Sequence, residues 1–421
     1  MQDQVAPEMI EATRLTRAGR AAEATLLLQR LLRGEAPAAA PGACRGDSFR
    51  VIDAEPHTVE VSEATALAPP QPDRRERPAP ATFTVLPSAP GAPGPARTGL
   101  RETLRRLATR GLPAGGVPSP GRAPAPLPDG AAFVTASFTN QAGTRSYKLY
   151  LPSKRAGQPL PLVVMLHGCT QSPDDFAAGT RMNALAEEHA CLVAWPAQPG
   201  SANPSKCWNW FNPNDQQRDR GEPSLIAGIT RQIMRDHPVD PRRVYVAGLS
   251  AGGAAAAIMG SAYPDLYAAV GVHSGLACGV ASDLPSALMA MRQGGGPALP
   301  SAGHGRGARV VPTIVLHGDQ DTTVHPRNAD QVIASRAAVA PELRVTLERG
   351  QVPGGHAHSR RVYADPAGQA VLEQWTIHGA GHAWAGGSPA GTYTDPRGPD
   401  AAREMLRFFL EHPHPAAGQP A

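Results

Sequence analysis

The run Val244-Tyr245-Val246-Ala247-Gly248-Leu249-Ser250-Ala251-Gly252-Gly253 places a serine between a β-branched stretch and the alanine-rich segment Ala254–Met259. A strand, a Gly-x-Ser-x-Gly turn and a helix in that order form a nucleophile elbow. The reversal must be so tight that side chains at Gly248 and Gly252 would collide across it. The helix start then turns free N–H groups toward any negative charge that develops beside Ser250. The chemistry implied is attack by an activated hydroxyl, which needs a base, an acid to orient that base, and donors for the oxyanion.

Those partners are sought downstream, on loops that follow core strands, in the order serine, acid, histidine. Thr313–Leu316 reads as a strand and runs into His317-Gly318-Asp319-Gln320-Asp321-Thr322-Thr323-Val324. Of the two carboxylates Asp321 fits the loop tip better than Asp319, since Gly318 makes the turn and Val324 anchors the far side. Gln374–Ile377 leads into His378-Gly379-Ala380-Gly381-His382-Ala383-Trp384, where the glycines let the loop curl back. His382 is the expected base and His378 a structural residue at the strand end. The oxyanion donors are read as the N–H of Ala251 and the backbone N–H of Cys169, in His167-Gly168-Cys169 after an apolar strand. The competing reading of Cys169 as a thiol nucleophile has no base assigned to it.

Cys207-Trp208-Asn209-Trp210-Phe211 concentrates aromatics in a chain that is only 5% aromatic. Trp208 and Trp210, with Trp384 as a second wall, are expected to line a substrate groove; burial in the core is the alternative. His356-Ala357-His358 reads as a surface loop, and no carboxylate or cysteine spacing makes it a metal site. No cofactor is expected.

The elements that must hold these loops follow from periodicity. Phe133–Thr139 and Ser146–Leu151 pair through a turn at Ala142-Gly143, and Leu160–Leu166, Cys191–Trp195, Val244–Leu249, Tyr267–His273 and Thr313–His317 are apolar strands. Met182–His189, Ser224–His237 (capped by Ser224), Asn328–Ala338 and Ala401–Glu411 read as helices, with Arg344–Glu348 and Gln374–Ile377 as the last strands. Apolar strands alternating with helices imply a mainly parallel sheet covered on both faces, an α/β-hydrolase fold over residues 130–415. Gln293–Arg309 is expected to be a surface insertion.

Ahead of that domain, residues 1–34 read as two short amphipathic helices, which would fold as a hairpin or dock on a lipid or polymer granule. Residues 35–129 are rich in proline, alanine and glycine and read as a largely disordered linker. A net charge of +4 on 421 residues gives no basic stripe for nucleic acid. No apolar run is long enough to span a bilayer, and the first residues lack the basic and apolar regions of a secretion signal, so the expected location is cytoplasmic. The five cysteines show no Cys-x-x-Cys pair; Cys207 and Cys278 could form one disulfide, against which a reducing cytoplasm argues.

Taken together, His167-Gly168-Cys169-Thr170-Gln171, Cys207–Phe211, Gly248–Gly252, His317–Asp321 and Gly381-His382-Ala383-Trp384 resemble the poly(3-hydroxybutyrate) depolymerase family of esterases. Feruloyl and acetyl-xylan esterases are its relatives, and the resemblance covers about Ala131 to Pro413. It implies Ser250, Asp321 and His382 as a triad, Cys169 as an oxyanion donor, a short-chain polyhydroxyalkanoate as substrate, and an extracellular setting. The chain departs from the polymer-degrading members in having no visible signal peptide and no C-terminal substrate-binding domain. Feruloyl or acetyl-xylan ester hydrolysis is the second reading, and a non-catalytic granule-associated protein the third.

Overall fold

The computed structural model describes residues 127–154, 157–295, 310–340 and 342–415. The amphipathic segment, nearly all of the linker and most of the Gly-rich insertion expected above lie outside the described residues.

Strands β1 (Ala132–Asn140) and β2 (Gly143–Leu151) form an antiparallel hairpin. Asn140 shapes its turn, its side-chain oxygen accepting from Ala142 N–H at 2.8 Å. Next come β3 (Leu160–Leu166), α1 (Pro173–Thr180), α2 (Met182–His189) and β4 (Leu192–Pro196). They are followed by α3 (Gly221–Asp236), β5 (Val239–Leu249), α4 (Ala251–Ala262), β6 (Ala269–His273) and α5 (Leu284–Gln293). The remainder is β7 (Thr313–Gly318), α6 (Arg327–Ala337), β8 (Arg344–Gln351), β9 (Ala357–Ala364), β10 (Ala370–Ile377), the short pair β11 (Trp384–Ala385) and β12 (Thr394–Asp395), and α7 (Ala401–Glu411).

Ten strands form one sheet in the order β1-β2-β4-β3-β5-β6-β7-β10-β9-β8. From β4 across to β10 every pairing is parallel. The hairpin closes one edge antiparallel and β9 with β8 the other. Every residue of β3 is buried, as expected of a strand covered on both faces. Helix α4, which follows Ser250, is built largely of alanine and glycine, so it packs close against the sheet with Ala251–Gly260 buried. On the opposite face α7 buries Ala401, Ala402, Met405, Leu406, Phe408 and Phe409 along one stripe, and Phe409 stacks on Tyr245 of β5 at 5.0 Å. This is an α/β-hydrolase fold.

Three local expectations change. The helix expected from Ser224 starts at Gly221, and Ser224 is not its cap; its hydroxyl donates to the Gly221 carbonyl at 2.7 Å inside the first turn. His358 sits in β9, a strand in which the polar run His358–Arg361 gives no alternating pattern, and its ring packs on Trp375 at 5.1 Å rather than lying in a surface loop. The disulfide is not Cys207–Cys278. Cys207 is bonded to Cys169, and Cys278 remains a thiol.

Candidate active site

Ser250 lies between β5 and α4 with φ 58° and ψ −120°, a backbone conformation that side chains rarely adopt. The glycines around it are required by contact. A Cβ on Gly248 would stand 2.3 Å from the Gly252 carbonyl carbon, and one on Gly252 would stand 2.0 Å from the Leu166 carbonyl oxygen. The elbow is therefore wedged against the end of β3, which is where the loop expected to carry an oxyanion donor begins.

That loop is Gly168-Cys169-Thr170. A Cβ at Gly168 would reach within 3.6 Å of Ser250 Cβ, so the loop lies against Ser250. The N–H groups of Cys169 and Ala251 have no acceptor among the described residues, unlike Gly168 N–H, which donates to Gln171 Oε1 at 2.9 Å. Two unspent donors beside a serine are what a tetrahedral oxyanion requires. The disulfide ties Cys169 to Cys207, and Thr170 N–H donates to Ser205 O at 2.7 Å, so the loop is clamped at two adjacent residues. With its sulfur in a disulfide, Cys169 cannot be a thiol nucleophile; its backbone is what remains available.

Asp321 follows β7 and His382 follows β10. His382 Nδ1 donates to Asp321 Oδ2 at 2.7 Å, which leaves Nε2 as the basic atom. The same carboxylate receives His317 Nε2 at 3.2 Å, and its other oxygen receives the N–H groups of Thr323 at 2.9 Å and Val324 at 2.8 Å. Burial alone would push the Asp321 pKa up. The His382 charge and the hydrogen bonds from His317 and His382 outweigh burial and hold the group well below the ordinary carboxylate range. Gly318 makes the approach of the two loops feasible, since a Cβ there would meet the Ala380 carbonyl oxygen at 2.2 Å.

A chain of contacts ties the histidine loop to the elbow. Ser250 N–H donates to His273 O at 2.9 Å. The His273 ring stacks on Trp384 at 5.0 Å and its Nε2 accepts from Ala385 N–H at 3.0 Å. With Nε2 accepting, the ring proton sits on Nδ1 and is given to Ser274 Oγ at 3.1 Å. Burial first, then the charges of His317 and His382, push the His273 pKa down to about 3, so the ring is a neutral spacer. His167 plays the same part on the oxyanion side. It accepts Gln198 N–H at Nε2 (3.1 Å), donates from Nδ1 to Gly168 O (2.8 Å), and burial lowers its pKa to about 4.

The residues set aside as competitors pair with each other. His378 Nδ1 contacts Asp319 Oδ2 at 2.9 Å, and Ser359 Oγ donates to His378 Nε2 at 2.8 Å. These three side chains form a hydrogen-bonded Ser-His-Asp chain, but Ser359 sits in β9 between β8 and β10, pairing with Arg349 on one side and Thr376 on the other. Its backbone groups serve those ladders, and Gly379 N–H is taken by Asp319 at 2.8 Å, so no donor pair faces its hydroxyl.

The expected groove walls are corrected. Trp208 is 0% exposed, Trp210 6% and Trp384 1%, so none of them is an open substrate surface. Trp208 instead donates from Nε1 to His167 O at 3.1 Å beneath the oxyanion loop, and Trp384 is wedged between His273 and Phe176. Beneath the same loop lies a buried polar cluster that the sequence reading missed. Glu222 accepts Asn209 N–H and Asn209 Nδ2, both at 2.7 Å, and also binds Gln198 Nε2; Arg145 lies 3.6 Å from it. Burial, then the charge of Asp215, raises the Glu222 pKa to about 7. Gln198, through its backbone bond to His167, links this cluster to the oxyanion loop. Among the described residues no group of three His, Cys, Asp or Glu is arranged to hold a metal.

Residues 145–342 match the family model described as Esterase PHB depolymerase. The chain is similar to poly(3-hydroxyalkanoate) depolymerase C of Paucimonas lemoignei, 34% identical over 253 residues, which are 58% of this chain and 59% of that protein. The chain thus spans less than two thirds of that relative's length. It is also similar to feruloyl esterase B of Thermothelomyces thermophilus, 27% identical over 58% of this chain and 88% of the other. A solved acetyl xylan esterase from Aspergillus awamori shares the fold, with a TM-score of 0.51 at 20% identity over 66% of this chain and 99% of that one.

The disulfide carries the first expected result. Opening Cys169–Cys207 with a reductant, or by Cys207→Ser, should cost roughly 3–4 kcal/mol of stability for a link spanning 38 residues. Denaturant midpoints with and without reductant check this, and an unchanged midpoint would show that the link does not restrain the chain.

Proposed function

We propose that this esterase domain is a serine ester hydrolase working through an acyl-enzyme. The observation that supports it most is the buried Asp321 joined to His382 Nδ1 at 2.7 Å, on the sheet edge that also presents the strained Ser250. In this reading His382 Nε2 takes the Ser250 hydroxyl proton as Oγ bonds to the ester carbonyl carbon. The N–H groups of Ala251 and Cys169 hold the oxygen that becomes negative. The bond from carbonyl carbon to the alcohol oxygen then breaks, and the alcohol leaves with the proton from His382. Water repeats the sequence on the acyl-enzyme and frees the acid. Asp321 keeps the His382 proton on Nδ1 and stabilises the imidazolium.

The substrate proposed is a short-chain polyhydroxyalkanoate, poly(3-hydroxybutyrate) or its oligomers, supported by the similarity to a poly(3-hydroxyalkanoate) depolymerase. The second substrate reading, a feruloyl or acetyl ester of plant polysaccharide, is favoured by how much of feruloyl esterase B the chain spans, 88%. A purely structural role on a granule has less support, because the site keeps acid, base and two unspent oxyanion donors in place. The Cys169–Cys207 disulfide supports work in an oxidising compartment over the cytoplasmic expectation. No described helix is long and apolar enough to cross a membrane.

Side-by-side assays of 3-hydroxybutyrate oligomers, methyl ferulate and acetylated xylan test the substrate. The highest kcat/KM is expected on the oligomers; a higher value on either of the others would replace the polyester reading with the second one.

A further inference from the structure

With the three tryptophans buried, the site needs another surface to meet the body of the ester, and one aromatic side chain stands where it would be met. Tyr393 is partly exposed and its hydroxyl lies 3.2 Å from Thr170 Oγ1. Thr170 is exposed and follows Cys169, the oxyanion donor. Its own hydroxyl proton is given to Cys169 O at 2.6 Å, so Tyr393 is the donor in the pair, and the phenol bridges onto the oxyanion loop. On its other side Tyr393 accepts Trp384 N–H at its carbonyl at 2.7 Å, two residues beyond His382. One residue therefore touches both the oxyanion loop and the base loop.

The backbone holds it there firmly. Tyr393 has φ 53° and Thr170 φ 66°, left-handed conformations unfavourable to both residue types, so the surroundings must impose them. The segment before Tyr393 is bolted to α1. Asp175 accepts Thr392 N–H at 2.9 Å and Thr392 Oγ1 at 2.6 Å. Gln171 Nε2 donates to Thr392 O at 3.1 Å, while its Oε1 accepts Gly168 N–H at 2.9 Å. Gly391 is pressed so close that a Cβ would stand 2.4 Å from Asp175 O. A side chain that is fixed in place, aromatic and partly open beside oxyanion donors is suited to apolar contact with a bound ester.

We propose that Tyr393, braced by Thr170, is the substrate-contacting wall of the site and sets the affinity for the apolar body of the ester. This rests on the esterase reading above and deepens it. The wall would bind the neutral carbon portion of the substrate and take no part in bond making, so its loss should fall on KM rather than on kcat.

The test is steady-state kinetics of Tyr393→Ala and Tyr393→Phe on p-nitrophenyl acetate and p-nitrophenyl butyrate, with Ser250→Ala as a control. Fluorophosphonate titration supplies the count of competent sites. Tyr393→Ala should raise KM for the butyrate about tenfold with kcat within about twofold, and raise it less for the acetate. Tyr393→Phe, which keeps the ring, should stay within about twofold in KM. An unchanged KM in Tyr393→Ala overturns the wall. So does a fall in kcat at constant KM, which would make Tyr393 a brace for the oxyanion loop only. Should Ser250→Ala still turn over these esters, the esterase mechanism itself fails; a dead Ser250→Ala with a silent Tyr393→Ala defeats the wall alone.

Discussion

Ser250→Ala is expected to lower kcat for p-nitrophenyl butyrate on the order of 10⁶-fold while leaving the unfolding midpoint unchanged. The kinetic loss is large because the substitution removes the oxygen proposed to attack, without which the acyl-enzyme cannot form. Stability should hold because alanine keeps the Cβ and the same strained backbone, φ 58°, and the backbone bond from position 250 to His273 O does not involve the side chain. A fluorophosphonate probe should label wild type at Ser250 and leave the variant unlabelled. Ser359 is the sensitive control, since its hydroxyl meets a histidine, His378, at 2.8 Å. It should stay unlabelled because the β8 and β10 ladders take up its backbone. Label on Ser359, or turnover surviving in Ser250→Ala, would falsify the assignment of the nucleophile.

Asp321→Asn should cost about 10⁴-fold in kcat. The carboxylate accepts from four donors: His382, His317, Thr323 N–H and Val324 N–H. An amide has one oxygen and brings two protons of its own, so at least one of those donors meets an N–H instead. If that donor is His382, its proton moves to Nε2 and the base is lost. Stability should change with pH in a defined direction. The folded Asp321 carboxyl is held below its unfolded value of about 3.9, so the unfolded chain binds its proton first as pH falls. Its contribution is therefore complete above about pH 4 and declines as the pH drops toward the lowered folded value. Denaturant titrations of wild type and variant at neutral and acid pH should show the gap between them narrowing in acid. A gap of constant size would mean that the charge on Asp321 contributes nothing to the fold.

Much of the frame of the candidate site is legible in the sequence because it is local. Val244–Leu249, the Gly-x-Ser-x-Gly turn and the alanine run specify strand, elbow and helix within sixteen residues, Val244 to Met259. Turn chemistry sets Asp321 and His382 apart from Asp319 and His378 in the sequence, and the structure pairs Asp321 with His382 and Asp319 with His378. The apolar runs of β3 and β4 announced buried strands for the same reason, since burial on both faces leaves no polar alternation.

What the sequence determined, then, is the order of the chemical groups along the chain and the conformation of the short segments that carry them. Those depend on backbone sterics and periodicity over a few residues. Tertiary structure decided the rest. Cys207 reaches Cys169 rather than Cys278 because the loop after β4 folds back under the end of β3. The tryptophans of that loop are consumed as its foundation, and Tyr393 is left facing outward, because the Gln171–Asp175–Thr392 bonds draw in a segment 221 residues away from Gln171. Contacts of that kind depend on which strands lie side by side and how deeply a loop is packed, and no local pattern of residue types encodes them.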